Sequence, residues 1–271
     1  MIGFFYRETN DRSLSCLNKL ERLCAEAGLA YCDLKKTDLQ DVSDVSLIVV
    51  LGGDGTVLKA SKVAADNIPI VAVNTGTVGF LTSYEESNVE DLIDDILNDR
   101  LSFVSRQFME ISVNDNVYYA LNDGVIAKSF TVDHQSECVK MMLKINGNFV
   151  DNYVADGLIL STPTGSTAYA ISAGGPVMEP NVNAFVVAPI CAHSLHSRPI
   201  VYSSDLLAEV FIHETSKDCA LYVDGEFVEI LPKNTKISIK KSDKYARICD
   251  SKEGFFSKLS HKLNKWSTNE F

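Results

Sequence analysis

Basic side chains are in short supply in this 271-residue chain: 25 lysines and arginines face 36 aspartates and glutamates, a formal charge of −11. Such a field disfavours nucleic acid or an anionic membrane surface as the main partner, and an anionic substrate would need local help. Long hydrophobic runs are missing as well. Stretches such as 45–51 and 68–73 are strand-sized, far short of the roughly 20 residues that cross a bilayer, so no membrane partner is expected. The first seven residues show no basic leader, long apolar region or small-residue cleavage site, which leads to the expectation of a cytoplasmic protein. The seven cysteines (16, 24, 32, 138, 191, 219 and 249) are odd in number and form no C-x-x-C pair, so neither a disulfide framework nor a zinc site is expected. Two common nucleotide-binding signatures are absent too: there is no G-x-x-x-x-G-K-[ST] and no G-x-G-x-x-G.

What is present suits an ordinary folded protein. With 46% hydrophobic and 23% charged residues the chain can bury a sizeable core, and its length suits two domains. Residues 1–100 alternate strand and helix patterns, the mark of an α/β domain with a helix-covered parallel sheet. Residues 2–6, 46–51 and 68–73 read as buried strands. Asn10 or Asp11 offers a helix cap, and Leu14, Leu17, Leu20, Cys24 and Ala27 form a helical stripe that Gly28 stops. A second helix is expected over 57–65. Ser87 and Glu90 read as a capping box before a third, lined by Leu92, Ile93, Ile96 and Leu97. Over 101–250 the rhythm changes to short β runs, with hairpin signals at Asn114-Asp115-Asn116, Asn146-Gly147-Asn148 and Asp224-Gly225. That pattern predicts an all-β, sandwich-like second domain. The tail over 254–266 is amphipathic, with Phe255, Phe256, Leu259, Leu263 and Trp266 on one side and Lys258, His261, Lys262 and Lys265 elsewhere. It is expected to return to the first domain, so that 251–271 complete 1–100.

The sharpest chemical feature is Gly52-Gly53-Asp54-Gly55-Thr56, between a buried strand and a helix. Glycines let backbone N–H groups approach phosphate oxygens, and a helix start adds partial positive charge; the same glycines would also make a plain tight turn. Asp54 tips the balance. A carboxylate beside a phosphate is repulsive unless it binds a metal ion or accepts a proton from an attacking hydroxyl, a pairing that suggests phosphoryl transfer. His193 and His196 have no third ligand nearby and are not read as a zinc pair.

This loop resembles the signature shared by NAD kinases, diacylglycerol and sphingosine kinases and, more distantly, phosphofructokinases. Three further segments single out the NAD kinases. The stretch 74–81 (Asn-Thr-Gly-Thr-Val-Gly-Phe-Leu) is similar to their N-x-G-x-L-G-F-L, with Val78 in place of leucine. The stretch 156–169, from Asp156 through Ser161-Thr162-Pro163-Thr164-Gly165-Ser166-Thr167 to Tyr169, resembles their longest signature and continues through Ser172 to Pro176. His193-Ser194-Leu195-His196-Ser197-Arg198-Pro199-Ile200 is similar to their H-[ST]-L-x-x-R-P-[IL].

The resemblance implies a two-domain NAD kinase fold, a Rossmann-like nucleotide-binding domain followed by a β-rich NAD-binding domain. It implies phosphorylation of NAD at the 2′-hydroxyl of the adenosine ribose by ATP or polyphosphate. Asp54 is then the catalytic residue, and Gly52, Gly53, Gly55 and Thr56 hold donor phosphates. Asp54, Gly55, Phe80, Asn122, Asp123, Asp156, Ser161, Thr167, Ala168, Tyr169, Ser172 and Asp224 form the NAD site, Asp123 standing where glutamate is usual. A divalent cation, magnesium, is implied as cofactor, bound mainly through phosphates and not in a protein cage. So is a homodimer or homotetramer. The alternatives are a lipid kinase of the diacylglycerol or sphingosine type and a non-catalytic NAD-responsive regulator.

Overall fold

In the computed structural model the apolar run at the N-terminus forms β1 (Ile2–Tyr6), buried along its whole length. The structure describes all residues except 8, 35–41, 43, 65–67, 77–78, 130–137, 195 and 268–271, and the side chains of 262–267. Contacts divide the chain into two units, Met1–Arg106 with Tyr245–Phe271, and Gln107–Lys244.

In the first unit β1 is followed by α1 (Asp11–Glu26), β2 (Tyr31–Asp33), β3 (Leu47–Leu51), α2 (Asp54–Val63), β4 (Ile70–Asn74), the two-residue β5 (Tyr84–Glu85) and α3 (Val89–Leu97). The Asn10 side chain caps α1 by accepting from the amides of Arg12 and Ser13, and Gly28, at φ +69°, ends it. The strands are parallel in the order β2-β1-β3-β4. Leu47, Val49 and Leu51 share a core with Leu17, Leu20 and Cys24 of α1 and Leu92 and Ile93 of α3. Ile48 and Val50, on the other face, are equally buried, and α2 packs on β1, β3 and β4. Both faces are thus covered, as a parallel sheet requires. The chain turns left of β1 to β2 and right of β3 to β4, so the strand order reverses between β1 and β3. Ligands in such sheets bind beyond the carboxyl ends of the strands at this reversal.

Two details differ from expectation. Helix α2 starts at Asp54 instead of residue 57, so Asp54, Gly55 and Thr56 are its first turn; its expected end at Ala65 lies outside the described residues. The capping box is made by Glu85 and Asn88 around a short 3-10 turn, Glu86–Asn88, not by Ser87 and Glu90. The Asn88 side chain accepts from the Glu85 amide at 2.8 Å, which places the box two residues earlier.

The next strands are β6 (Phe103–Val113), β7 (Asn116–Ala120), β8 (Asp123–Lys128), β9 (Val139–Ile145), β10 (Asn148–Ala155) and β11 (Gly157–Ser161). A 3-10 turn (Thr164–Thr167) and α4 (Tyr169–Ser172) precede β12 (Ala184–Ile190), β13 (Ile200–Ser203), β14 (Ala208–Ile212), β15 (Cys219–Val223), β16 (Glu226–Leu231) and the long β17 (Lys236–Cys249). In the second unit β13-β12-β11-β8-β15-β16 form an antiparallel sheet, and β10-β9-β14-β17 form another. Leu158 and Leu160 join Met141, Leu143, Val210 and Ile237 in one core, whereas Ile159 between them faces Ala170 and Met178. This alternation makes the unit a sandwich with one sheet covered outside by α4. Asn146-Gly147 and Asp224-Gly225 have positive φ at both positions, the geometry of two-residue hairpin turns.

Helix α5 (Phe255–Ser267) belongs to the first unit. Its docking differs from the expected stripe: Phe256 is 68% exposed and Lys258 only 7%. The side chains of Lys262, Leu263, Lys265 and Trp266 lie outside the described residues.

Candidate active site

Strand β3 delivers Gly52 and Gly53 to the carboxyl edge of the sheet. The Gly52 amide donates to the Val73 carbonyl at 3.0 Å and that of Thr56 to Gly53 at 2.9 Å, so both serve the fold. The amides of Asp54 and Gly55 precede the first intrahelical bond of α2, where N–H groups and the helix dipole suit an anion. The half-buried Asp54 carboxylate is held from the other side. Its Oδ2 accepts from the Phe80 amide at 2.8 Å and its Oδ1 from the Leu81 amide at 2.9 Å.

The segment that grips it is itself fixed. The Asn74 amide group donates to Glu85 at 3.0–3.1 Å and accepts from the Gly76 amide at 3.0 Å. The Thr75 hydroxyl lies 2.8 Å from that of Ser13, which also reaches the Leu51 carbonyl. Thr77 and Val78 lie outside the described residues. The Phe80 ring rests on that of Phe255, centroids 5.9 Å apart. Gly79 lies against the Asp54 carboxylate, a contact that spacing alone did not reveal.

In the second unit the bend at 121–123 meets the hydroxyl-rich loop after β11. The Asp224 carboxylate accepts from the amides of Leu121 (3.1 Å), Asn122 (2.8 Å) and Asp123 (3.3 Å). Thr162 donates its amide to the Asn122 carbonyl at 2.9 Å and its hydroxyl to that of Leu121. A Cβ on Gly165 would stand 2.1 Å from the Asn122 carbonyl oxygen, so only glycine permits this approach. Asp123 is buried beside Asp224; burial, and then the neighbouring charge, push its carboxyl up to about 7. Ser161 is fully buried, its hydroxyl directed to the carbonyls of Thr162 (3.0 Å) and Asn122 (3.4 Å). Ser166 ties the loop to the amide of Met178 at 2.9 Å. Thr167 and Ala168 are half-buried, and Tyr169 and Ser172 are exposed.

Asn122, Asp123, Ser161, Asp224 and the 162–169 loop are thus brought together. Asp156 is not among them. It sits at the far end of the five-residue β11, roughly 16 Å away by strand rise. There Lys128 donates to its Oδ1 at 2.8 Å. The Cys138 thiol lies 3.2 Å from His193 Nε2 and 4.0 Å from the same carboxylate oxygen. Leu195 is outside the described residues. Lys128 and Cys138 had no signal in the sequence, because strand register alone brings them to Asp156.

Among the described residues no three His, Cys, Asp or Glu side chains converge as a metal cage, and no helix is long and apolar enough to cross a membrane. Residues 8–101 match the ATP-NAD kinase N-terminal domain, and residues 123–251 match the ATP-NAD kinase C-terminal domain. The chain belongs to the NAD kinase family. It is 38% identical over 252 residues to an NAD kinase of Thermoanaerobacter sp. (strain X514), covering 90% of this chain and 87% of that one. The structure of an NAD kinase from Archaeoglobus fulgidus in complex with ATP superposes with a TM-score of 0.79 at 25% identity, over 96% of this chain and 99% of the other. Yeast NADH kinase complexed with NADH shares the fold, with a TM-score of 0.87 at 21% identity over 99% and 87% of the two chains. The lipid-kinase alternative is set aside by this membership. The NAD kinase stretches at 74–81 and 156–169 fall on the Asp54-gripping loop and on β11 with the loop that follows it.

Proposed function

We propose that this NAD kinase transfers the terminal phosphoryl group of ATP, or of polyphosphate, to the 2′-hydroxyl of the adenosine ribose of NAD, giving NADP. The observation that supports it most directly is the seating of Asp54. One carboxylate, at a helix start beyond a parallel sheet, is oriented by the amides of Phe80 and Leu81. An ionised carboxylate offers about four acceptor positions, so it can take amides and a sugar hydroxyl together.

A secondary hydroxyl is a poor nucleophile at neutral pH. Asp54 orients it and takes its proton while the ribose oxygen bonds to phosphorus and the bond to the bridging oxygen of the donor breaks. Carboxylates are weak bases, so positioning contributes more to the rate than basicity does. The start of α2 receives donor phosphate, with Gly53 and Gly55 allowing close approach; Gly52 and Thr56 shape the turn.

For the dinucleotide, Asn122 offers both a donor and an acceptor to a base or amide edge, and Thr167, Ala168, Tyr169 and Ser172 line its path. Phe80 supplies an aromatic edge. Ser161 and Asp224 act by holding the backbone of this loop, and Asp123 is buried against Asp224. Asp156, with Lys128, marks a second contact about one strand length away, as an extended dinucleotide would need. Magnesium usually binds through one or two carboxylates and substrate phosphates, and the single Asp54 carboxylate fits that donor set without a cage. When bound, the ion neutralises phosphate charge.

A coupled assay of NADP formation, run with ATP and polyphosphate against NAD and NADH, tests the proposal. Asp54→Asn should lower kcat by roughly 10²–10⁴-fold with the KM for NAD within about threefold. An Asn variant turning over near the wild-type rate would remove Asp54 from the chemistry.

A further inference from the structure

We propose that Lys258, on α5, is a positioning residue that acts on Asp54 through a single peptide group. The lysine is 7% exposed, and its ammonium donates to the carbonyl of Phe80 at 3.4 Å and to that of Thr82. The Phe80 carbonyl and the Leu81 N–H are the two ends of one planar amide. That N–H donates to Asp54 Oδ1 at 2.9 Å. A cation at the oxygen polarises the amide and strengthens the hydrogen bond given by its nitrogen. Lys258 therefore supports the carboxylate through that peptide group.

The placement argues against a packing role. A buried position on an amphipathic helix favours an aliphatic side chain, because taking an ammonium out of water costs free energy unless strong acceptors meet it. Here two backbone carbonyls of the same turn meet it. Phe255, three residues earlier on the helix, lies on the ring of Phe80. One helix face thus holds both the ring and the carbonyl of the residue whose amide grips Asp54.

The inference rests on Asp54 being the base, and a double-mutant cycle keeps the two claims apart. Lys258→Met should lower kcat about 10–100-fold with the KM for NAD within about twofold, and Lys258→Arg should recover most of the loss. In an Asp54→Asn background, Lys258→Met should cost less than about twofold more, since the group it positions is gone. Losses that multiply, a KM that rises in step with the fall in kcat, or a Lys258→Met enzyme at the wild-type rate would each overturn the inference. Where the Met variant does not fold, Lys258→Gln, which keeps a donor and removes the charge, is judged by the same criteria. An active Asp54→Asn enzyme would sink the reading of Asp54 and this inference together; an inactive one beside an unaffected Lys258→Met sinks this inference alone.

Discussion

A Cβ on Gly79 would stand 2.1 Å from Oδ1 of Asp54. Nothing but hydrogen fits between the two, so the loop closes on the carboxylate at the shortest range the backbone allows. Gly79→Ala should push the carboxylate off the amides of Phe80 and Leu81. A misplacement of about 1 Å in a reacting group costs on the order of 100-fold, so kcat should fall by roughly 10–100-fold while the dinucleotide KM stays within about threefold. Steady-state kinetics decide it. An alanine enzyme with kcat within twofold of wild type would mean that the seating is not needed for turnover.

Asp123 gives a pH-dependent stability. Its folded-state carboxyl titrates near 7, above its ordinary value of 3.8, because of burial and the Asp224 charge. A raised value favours the folded state at low pH, and that contribution is lost as the pH climbs through about 7. Asp123→Asn imitates the protonated form and should flatten the curve. At pH 8.5 the variant should be the more stable by on the order of 2–4 kcal/mol, since each unit of displacement is worth about 1.4 kcal/mol. At pH 4 the two should nearly coincide. Thermal or urea melts across this range measure the gap, and parallel curves would contradict it.

Much of this arrangement was legible before any coordinates, and the reasons are local. Buried parallel strands read as continuous apolar runs, so Ile2–Tyr6 and Leu47–Leu51 stood out. Asn10 sat where a cap belongs, and Asn146-Gly147 and Asp224-Gly225 announced their hairpins. The start of α2 did not show, because Asp and Gly are weak helix formers and the apolar stripe begins only at Val57. The docking of α5 was hidden for another reason. A helical pattern gives a face, but the rotation that buries Lys258 and exposes Phe256 is set by the carbonyls and ring it meets. Asp123 was read as an NAD contact in place of the usual glutamate, and its pairing with Asp224 did not show, since that neighbour lies 101 residues further along the chain. The glycine loop was visible as a motif, whereas the amides of Phe80 and Leu81 that orient its carboxylate became visible only in the fold.

The remaining prediction concerns a carboxylate with no part in the chemistry. Asp95 is buried at the end of α3, where Lys252 reaches Oδ2 at 2.8 Å, the Tyr84 hydroxyl reaches the same oxygen at 2.7 Å and Arg100 reaches Oδ1 at 2.7 Å. These hydrogen bonds, Lys252 first, hold its carboxyl well below the usual range, and burial opposes them less strongly. A depressed value stabilises the fold above the unfolded-state value of 3.8 and is lost as the pH falls below it. Lys252 and Arg100 are largely open to solvent, so screening trims the ionic share, while the bonds to a buried carboxylate keep most of theirs. Asp95→Asn should therefore cost about 1–3 kcal/mol at pH 7, and the gap to wild type should hold down to pH 5 and begin to narrow at pH 3, where the unfolded chain takes up the proton while the folded carboxylate still resists it. Urea melts of both proteins at pH 7, 5 and 3 measure it. A gap that stayed constant would place the cost in packing and not in charge; a gap of zero at pH 7 would mean that Lys252 and Arg100 find water as good a partner as this carboxylate.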